Sequence, residues 1–289
     1  QLKIVDIENG KAVAAQNFLT KTNAIGMATA DFNNDGRLDF AQCHDFANTV
    51  SVMLANSASG YSLTQTYTVG TRPNSVVADD VDGDSDIDLI VSNYNMSKVS
   101  VLKGFGNGTF TLSAQFPVQS GPGRLCLANL NNDSYKDVVV TNYFSHSISV
   151  LPSNGNGTYG TTINFSVGLN PTDVFSTDFN NDGMSDLAIS NYTDSSLYLL
   201  YGNGNFTFNN QPVLRAGKNP AAVTSNDFNN DGYKDIAVVN TGAKTLYVYL
   251  NSVSGFSTSY TSYPIGTSGS DVASGDFDND GSVDIVVSN

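Results

Sequence analysis

The chain contains no tryptophan, two histidines and two cysteines, and only 13 of its 289 residues are lysine or arginine. Each shortage excludes something. Nucleic-acid binding needs clustered positive charge, and here 27 acidic residues outweigh the bases to leave a formal charge of −14. No apolar run approaches the length of a bilayer-spanning helix. Cys43 and Cys126 stand at non-equivalent places in the repeat described below, so they read as small buried residues rather than a disulfide framework. No Ser or Cys nucleophile motif, histidine metal site or phosphate-binding loop occurs. The lack of tryptophan also weakens the case for a lectin that stacks sugars on indole rings. An initiator Met and a signal peptide are missing too, as expected of a mature or excised product. Seven Asn-x-Ser/Thr sequons, at Asn95, Asn107, Asn132, Asn156, Asn164, Asn191 and Asn205, are compatible with secretion in a chain rich in Asn, Ser and Thr.

What the chain does have is period. DFNNDGRLD at 31–39 recurs as DVDGDSDID (80–88), NLNNDSYKD (129–137), DFNNDGMSD (178–186), DFNNDGYKD (227–235) and DFDNDGSVD (276–284), every step being 49 residues. Constant spacing over six copies means one structural unit of fixed length. Around each acidic loop the pattern is that of strands. A short apolar stretch precedes it, and a β-branched run follows, such as DLIVSN (88–93) or DIAVVN (235–240). A third, alternating run comes next (KVSVLKG, 98–104), then a Gly/Asn turn and a fourth strand. No segment has helical periodicity of useful length.

Four antiparallel strands repeated six times predict an all-β fold, a six-bladed β-propeller of four-stranded blades. A solenoid would need atypical polar caps, and none is visible. Lys3, Ile4 and Val5 align with Val52, Met53 and Leu54 one repeat later, so the chain begins in a third strand and ends, at Asn289, in a second. Residues 1–20 are therefore expected to complete the last blade in an N-/C-terminal strand clasp that closes the ring and removes its edges. Residues 1–289 are then one domain.

Numbering each acidic loop 1 to 9, positions 1, 3, 5 and 9 are Asp or Asn in all six copies, and position 6 is Gly in four and Ser in two. Alternate oxygen-bearing residues in a tight loop suit Ca²⁺, which takes six to eight hard oxygen ligands, and suit Mg²⁺ poorly. Position 7 varies, as it should if only its carbonyl serves. The candidate ligands are Asp31, Asn33, Asp35, Arg37 and Asp39; Asp80, Asp82, Asp84, Asp86 and Asp88; Asn129, Asn131, Asp133, Tyr135 and Asp137; Asp178, Asn180, Asp182, Met184 and Asp186; Asp227, Asn229, Asp231, Tyr233 and Asp235; and Asp276, Asp278, Asp280, Ser282 and Asp284. Twenty of the 27 acids sit at these positions, and six bound Ca²⁺ would bring the formal charge from −14 to −2. The third loop, with two carboxylates, is expected to be the weakest site. The second, with five, is expected to depend most on metal.

These loops, together with GNGTF (106–110), GNGTY (155–159) and GNGNF (202–206), resemble FG-GAP/VCBS repeats, the family of integrin α-subunit propellers and Ca²⁺-containing mushroom lectins. The resemblance spans essentially the whole chain. It implies structural Ca²⁺ in the hairpin between the first two strands of each blade. The named relatives are typically seven-bladed and the mushroom lectins have longer repeats, so no sugar-binding or partner-binding residue carries over.

At the other end of each blade the turns vary, as a recognition surface grafted on a repeat would. Asn93, Asn142, Asn191, Asn240 and Asn289 are equivalent and are expected to tie down local backbone. Tyr94, Tyr143 and Tyr192 follow three of them and are candidate ligand contacts, though packing between blades would explain them equally. His44 and Asp45 break this pattern in the first blade, and His146 lies in a turn of the same class. The leading expectation is a secreted or cell-surface monomer that binds a glycan or an extracellular protein without catalysis. The alternatives are a polysaccharide lyase or hydrolase using His44, His146 or a Tyr as base, and a structural or adhesive module of a larger surface protein.

Overall fold

A computed structural model describes residues 2–8, 11–18, 24–57, 60–267 and 269–288. Two compact units emerge. One comprises Gln1–Ile4, Gln16–Leu127 and Ser134–Phe165; the other comprises Val5–Ala15, Ala128–Asp133 and Ser166–Asn289. The described residues contain no helix.

Strands β1 (Leu2–Glu8) and β2 (Lys11–Phe18) pair with each other. Three four-stranded sheets follow. The first holds β3 (Ala24–Ala30), β4 (Asp39–His44), β5 (Thr49–Ser57) and β6 (Gly60–Thr68). Next come β7 (Pro73–Asp79), β8 (Asp88–Asn93), β9 (Lys98–Gly104) and β10 (Phe110–Pro117), then β11 (Pro122–Ala128), β12 (Asp137–Asn142), β13 (Ser147–Leu151) and β14 (Ile163–Ser166). In the second unit β15 (Pro171–Thr177), β16 (Asp186–Asn191), β17 (Ser196–Gly202) and β18 (Phe208–Asn210) form a sheet whose third strand also pairs with β19 (Leu214–Arg215). The fifth sheet is β20 (Pro220–Asn226), β21 (Asp235–Asn240), β22 (Thr245–Tyr249) and β23 (Thr261–Pro264). Finally β24 (Asp271–Gly275) pairs with β25 (Asp284–Ser288). Asn289 and residues 1, 9, 10, 19 and 20 of the expected clasp lie outside the described residues.

Each sheet is a meander of adjacent antiparallel strands, as short Gly- and Asn-rich turns require. The second strand is the most hydrophobic because sheets cover both of its faces. In β8, Leu89 and Val91 pack toward the first sheet with Val50, Val52 and Val76. Ile90, one residue out of phase, packs toward the third with Val101, Val138 and Val140. The second unit repeats this device: Ile236 and Val238 face the fourth sheet, Ala237 and Val239 the sixth. A period of two therefore serves two cores at once. Proline opens several first strands, where its missing N–H is tolerated, and register shifts follow at Pro73/Ser75, Pro171/Asp173 and Pro220/Ala222.

Candidate functional site

The acidic loops join the first and second strands, and their backbone is wound around the position-1 carboxylate. Asp31 Oδ1 accepts the Asp35 amide at 3.1 Å and Oδ2 the Gly36 amide at 2.6 Å. Asp227 does the same with Asp231 and Gly232, and Asp276 with Asp280 and Gly281. Two left-handed residues make the winding possible. Position 4 has φ of 58° at Asn34, 59° at Asn181 and 60° at Asn279, and position 6 has 83° at Gly36 and 87° at Gly281. Asn tolerates that region and Gly prefers it, which accounts for the Asn-Asp-Gly run. At Asp31 desolvation pushes the carboxyl upward, but the amides of Gly36, Asp35, Asn33 and Asn34 outweigh it and leave it below the usual range.

Position 9 has a separate task. Asp39 is fully buried; its Oδ2 accepts the Phe32 amide and its Oδ1 the Ala55 amide, both at 2.8 Å. Asp186 likewise takes Phe179 and Gly202, and Asp235 takes Phe228 and Asn251. This carboxylate staples the start of its loop to the end of the third strand. Burial, opposed by those amides, pushes Asp88 and Asp186 up to about 6.

The donors fit a hard cation. Oxygens bonded to one Ca²⁺ at 2.3–2.6 Å lie no more than about 5 Å apart. Ligand atoms of Asp80, Asp82 and Asp88 lie within 4.8 Å of one another, as do those of Asp276, Asp278 and Asp280. Charge at the second loop is partly met from within: Lys103 pairs with Asp82 and, at 2.8 Å, with Asp84. Its ammonium holds the Asp84 carboxyl below the usual range. The third loop differs, because Asn129 Nδ2 donates to the Asp133 carbonyl, a role that no carboxylate could play.

The Gly/Asn turns dock on these loops. Gly108 N–H donates to the Phe32 carbonyl at 2.7 Å and Gly157 N–H to the Val81 carbonyl at 2.9 Å, each turn reaching the position-2 carbonyl of the previous repeat. In the fifth sheet, where the GNG pattern is absent, the Asn251 side chain makes the equivalent bond to Phe179 O at 2.7 Å.

At the opposite end of each sheet, Asn93, Asn142, Asn191 and Asn240 are fully buried. Asn93 Nδ2 donates to Ser100 Oγ, and its Oδ1 accepts the Gly70 amide at 2.8 Å. His44 fills the corresponding slot in the first sheet and is equally buried, with Nε2 3.0 Å from Ser51 Oγ, the counterpart of Ser100. The exceptional histidine thus takes over the asparagine's tie. His146 occupies a turn position with φ of 51°, equivalent to Asn48, Ser97, Ser195 and Lys244, all left-handed.

Asp45 is held by Arg72, Nε to Oδ1 at 2.7 Å and Nη2 to Oδ2 at 2.9 Å. The guanidinium lies between rings, its Cζ 5.7 Å from the Phe46 centroid and 5.3 Å from that of Tyr94. Tyr94 in turn lies 5.4 Å from Phe144 and 6.4 Å from Tyr143. Phe46 is 70% exposed and Phe144 55%. Sequence reasoning singled out Asp45, Tyr94 and Tyr143, but missed Arg72, Phe46 and Phe144. The available signal was an Arg at a left-handed position (φ 56°) where the next three repeats have Gly121, Asn170 and Asn219. Tyr192 lies in the second unit, exposed, with its carbonyl accepting Asn219 Nδ2 at 3.3 Å.

The profile of the FG-GAP-like repeat matches residues 80–140, 129–189, 178–238 and 227–287, each window running from one acidic loop through the next. The chain belongs to this repeat family. No curated protein matches the sequence. Among solved structures, FG-GAP-like repeats in this arrangement are similar to the periplasmic gluconolactonase of Pseudomonas aeruginosa, with a TM-score of 0.65 and 16% identity over 83% of this chain and 70% of that one. A lectin from Agrocybe aegerita, described as recognising non-reducing terminal N-acetylglucosamine, gives 0.59 and 18% over 93% and 72%. A Lactobacillus plantarum protein gives 0.65 and 17% over 86% and 72%. At these identities the likeness shows the fold alone, a propeller-type arrangement of repeated four-stranded antiparallel sheets. No helix among the described residues is long and apolar enough to cross a membrane.

Proposed function

We propose that the chain is a non-catalytic, Ca²⁺-stabilised binding module that works outside the cell as a monomer. In this reading residues 1–289 form one six-bladed ring, with residues 1–20 completing the last blade through the terminal clasp. Each acidic loop holds one Ca²⁺ through positions 1, 3, 5 and 9 and the position-7 carbonyl, the loop at 129–137 being the weakest. The ion would neutralise the clustered carboxylates and stiffen the hairpin; the staple made by position 9 belongs to the protein itself.

One observation carries the recognition claim. The strip Phe46, Arg72, Tyr94 and Phe144 exposes aromatic rings around a guanidinium that Asp45 fixes in place. Aromatic residues and Arg dominate the energetics of protein interfaces, and a pre-ordered Arg loses little entropy on binding. Of the two partner classes expected, an extracellular protein fits this strip best, while the lectin among the similar structures supports a glycan. Catalysis by His44 is disfavoured because a fully buried ring has no access to a polymeric substrate.

The test uses the intact chain in Ca²⁺, screened on a glycan array and against extracellular proteins, beside Phe46→Ser and Phe144→Ser. A specific partner lost in both variants, with unchanged melting, supports the proposal. A partner held equally by both variants, or polysaccharide turnover that disappears in His44→Ala, overturns it.

A further inference from the structure

A second candidate site, built from none of the residues of the aromatic strip, lies within the second unit. A cavity of about 450 Å³ opens there, walled by Tyr201, Tyr233 and Phe256, with Gln211, Ser252 and Ser254 among its polar groups. It forms where two departures from the repeat meet. The fourth strand of its sheet is broken into β18 and β19, and Gln211, between them, turns into the wall. The next sheet lacks the GNG turn, and Asn251 makes the docking bond from its side chain. That frees residues 252–258 to frame the opening. Tyr233 stands at loop position 7, where only the carbonyl is asked to face the loop centre, so its ring is available to the cavity. Local breaks in an otherwise regular pattern are where function is expected to reside.

We propose that this cavity binds one neutral saccharide unit, a pyranose or a short oligosaccharide end. Its volume is within the range of small-molecule sites. Tyr and Phe faces suit the C–H face of a sugar ring, and the Gln amide and Ser hydroxyls suit its hydroxyls. A wholly apolar ligand would leave those polar groups dehydrated. No Asp, Glu, Lys, Arg or His is among the residues lining it, so the cavity's own side chains offer a charged ligand no counter-charge.

The experiment titrates the full, ¹⁵N-labelled chain in Ca²⁺ with glucose, galactose, mannose, N-acetylglucosamine, their β-linked disaccharides, and glucuronic and galacturonic acids, following amide shifts. At least one neutral sugar is expected to give saturable shifts confined to Tyr201, Gln211 and residues 252–258. The uronic acids should bind at least tenfold more weakly. Tyr201→Ala should abolish the shifts. Because Tyr201 also packs on the core, Ser254→Trp, an exposed change at the rim, serves as the second variant and should weaken binding at least tenfold with unchanged melting. Phe144→Ser should leave the shifts intact, which separates this site from the aromatic strip. No saturable shift at the cavity with any neutral sugar, or equal binding by a uronic acid, overturns the proposal.

Discussion

Replacing Asp39 and Asp35 by Ala, one at a time, separates the two roles of the acidic loop. Asp39→Ala removes the acceptor for the Phe32 and Ala55 amides, both on buried residues. A buried donor left unmade costs about 1–3 kcal/mol, so the two give roughly 2–6 kcal/mol. Part of this is returned, because the carboxylate is itself desolvated and burial raises its pKa. A net loss of about 2–4 kcal/mol is expected, or roughly 5–15 °C in melting temperature for a chain of this size. Asp35 is exposed, and its partners, the Arg37 amide, the Arg37 guanidinium at 3.2 Å and Asn33 Nδ2, can turn to water. Asp35→Ala should therefore change stability by less than about 0.5 kcal/mol in excess chelator. In Ca²⁺ it should become clearly destabilising, having lost a ligand. Calorimetry and urea unfolding of parent and variants, with and without Ca²⁺, decide the matter. Equal losses from the two variants in chelator would refute the separation of roles.

Three further outcomes are expected. His44→Asn, which restores the residue of the other repeats, should stay within about 1 kcal/mol of the parent by urea midpoint, whereas His44→Ala should lose about 2 kcal/mol; a worse result for Asn than for Ala contradicts the shared slot. Burial pushes the Asp88 and Asp186 carboxyls up from 3.8 to about 6, so the cost of their ionisation to folding is complete above pH 6 and is relieved progressively as pH falls from 6 toward 3.8. The chelated protein should accordingly gain a few degrees of stability from pH 7 to pH 5, and the Ca²⁺-loaded protein should lose stability over the same interval; parallel trends would contradict this. Finally, Cys43 is fully buried and its thiol pKa is pushed up by that burial, so native protein should show at most one fast-reacting thiol with Ellman's reagent, and two on unfolding.

Much of the fold was legible because it is written in short-range period. The runs at 88–93, 98–104 and 235–240 are strands β8, β9 and β21 over the same residues, since β-branched sequences between fixed turns leave little freedom of register. The loops were legible for the same reason: Asn-Asp-Gly at constant spacing encodes two left-handed residues, as at Asn34 and Gly36. What remained hidden depends on partners distant in sequence. The double bond of Asp39 needs Ala55, sixteen residues on, and the strip needs Arg72 to cross from one turn to another and meet Phe46 and Tyr94. The role of His44 had a signal, its spacing of 49 residues from Asn93, but only its bond to Ser51 shows that the slot is shared. The cavity beside Tyr201 was foreshadowed by the missing GNG turn, although the space itself arises from side-chain packing.

Whether the acidic loops are Ca²⁺ clips is tested most directly by equilibrium dialysis of chelator-stripped protein against radioactive Ca²⁺. Saturable uptake approaching six ions per chain is expected, with one ion bound more weakly and lost first on dilution. Absence of saturable uptake at millimolar Ca²⁺, or uptake unchanged when Asp31, Asp178 and Asp227 are replaced by Ala, would contradict it.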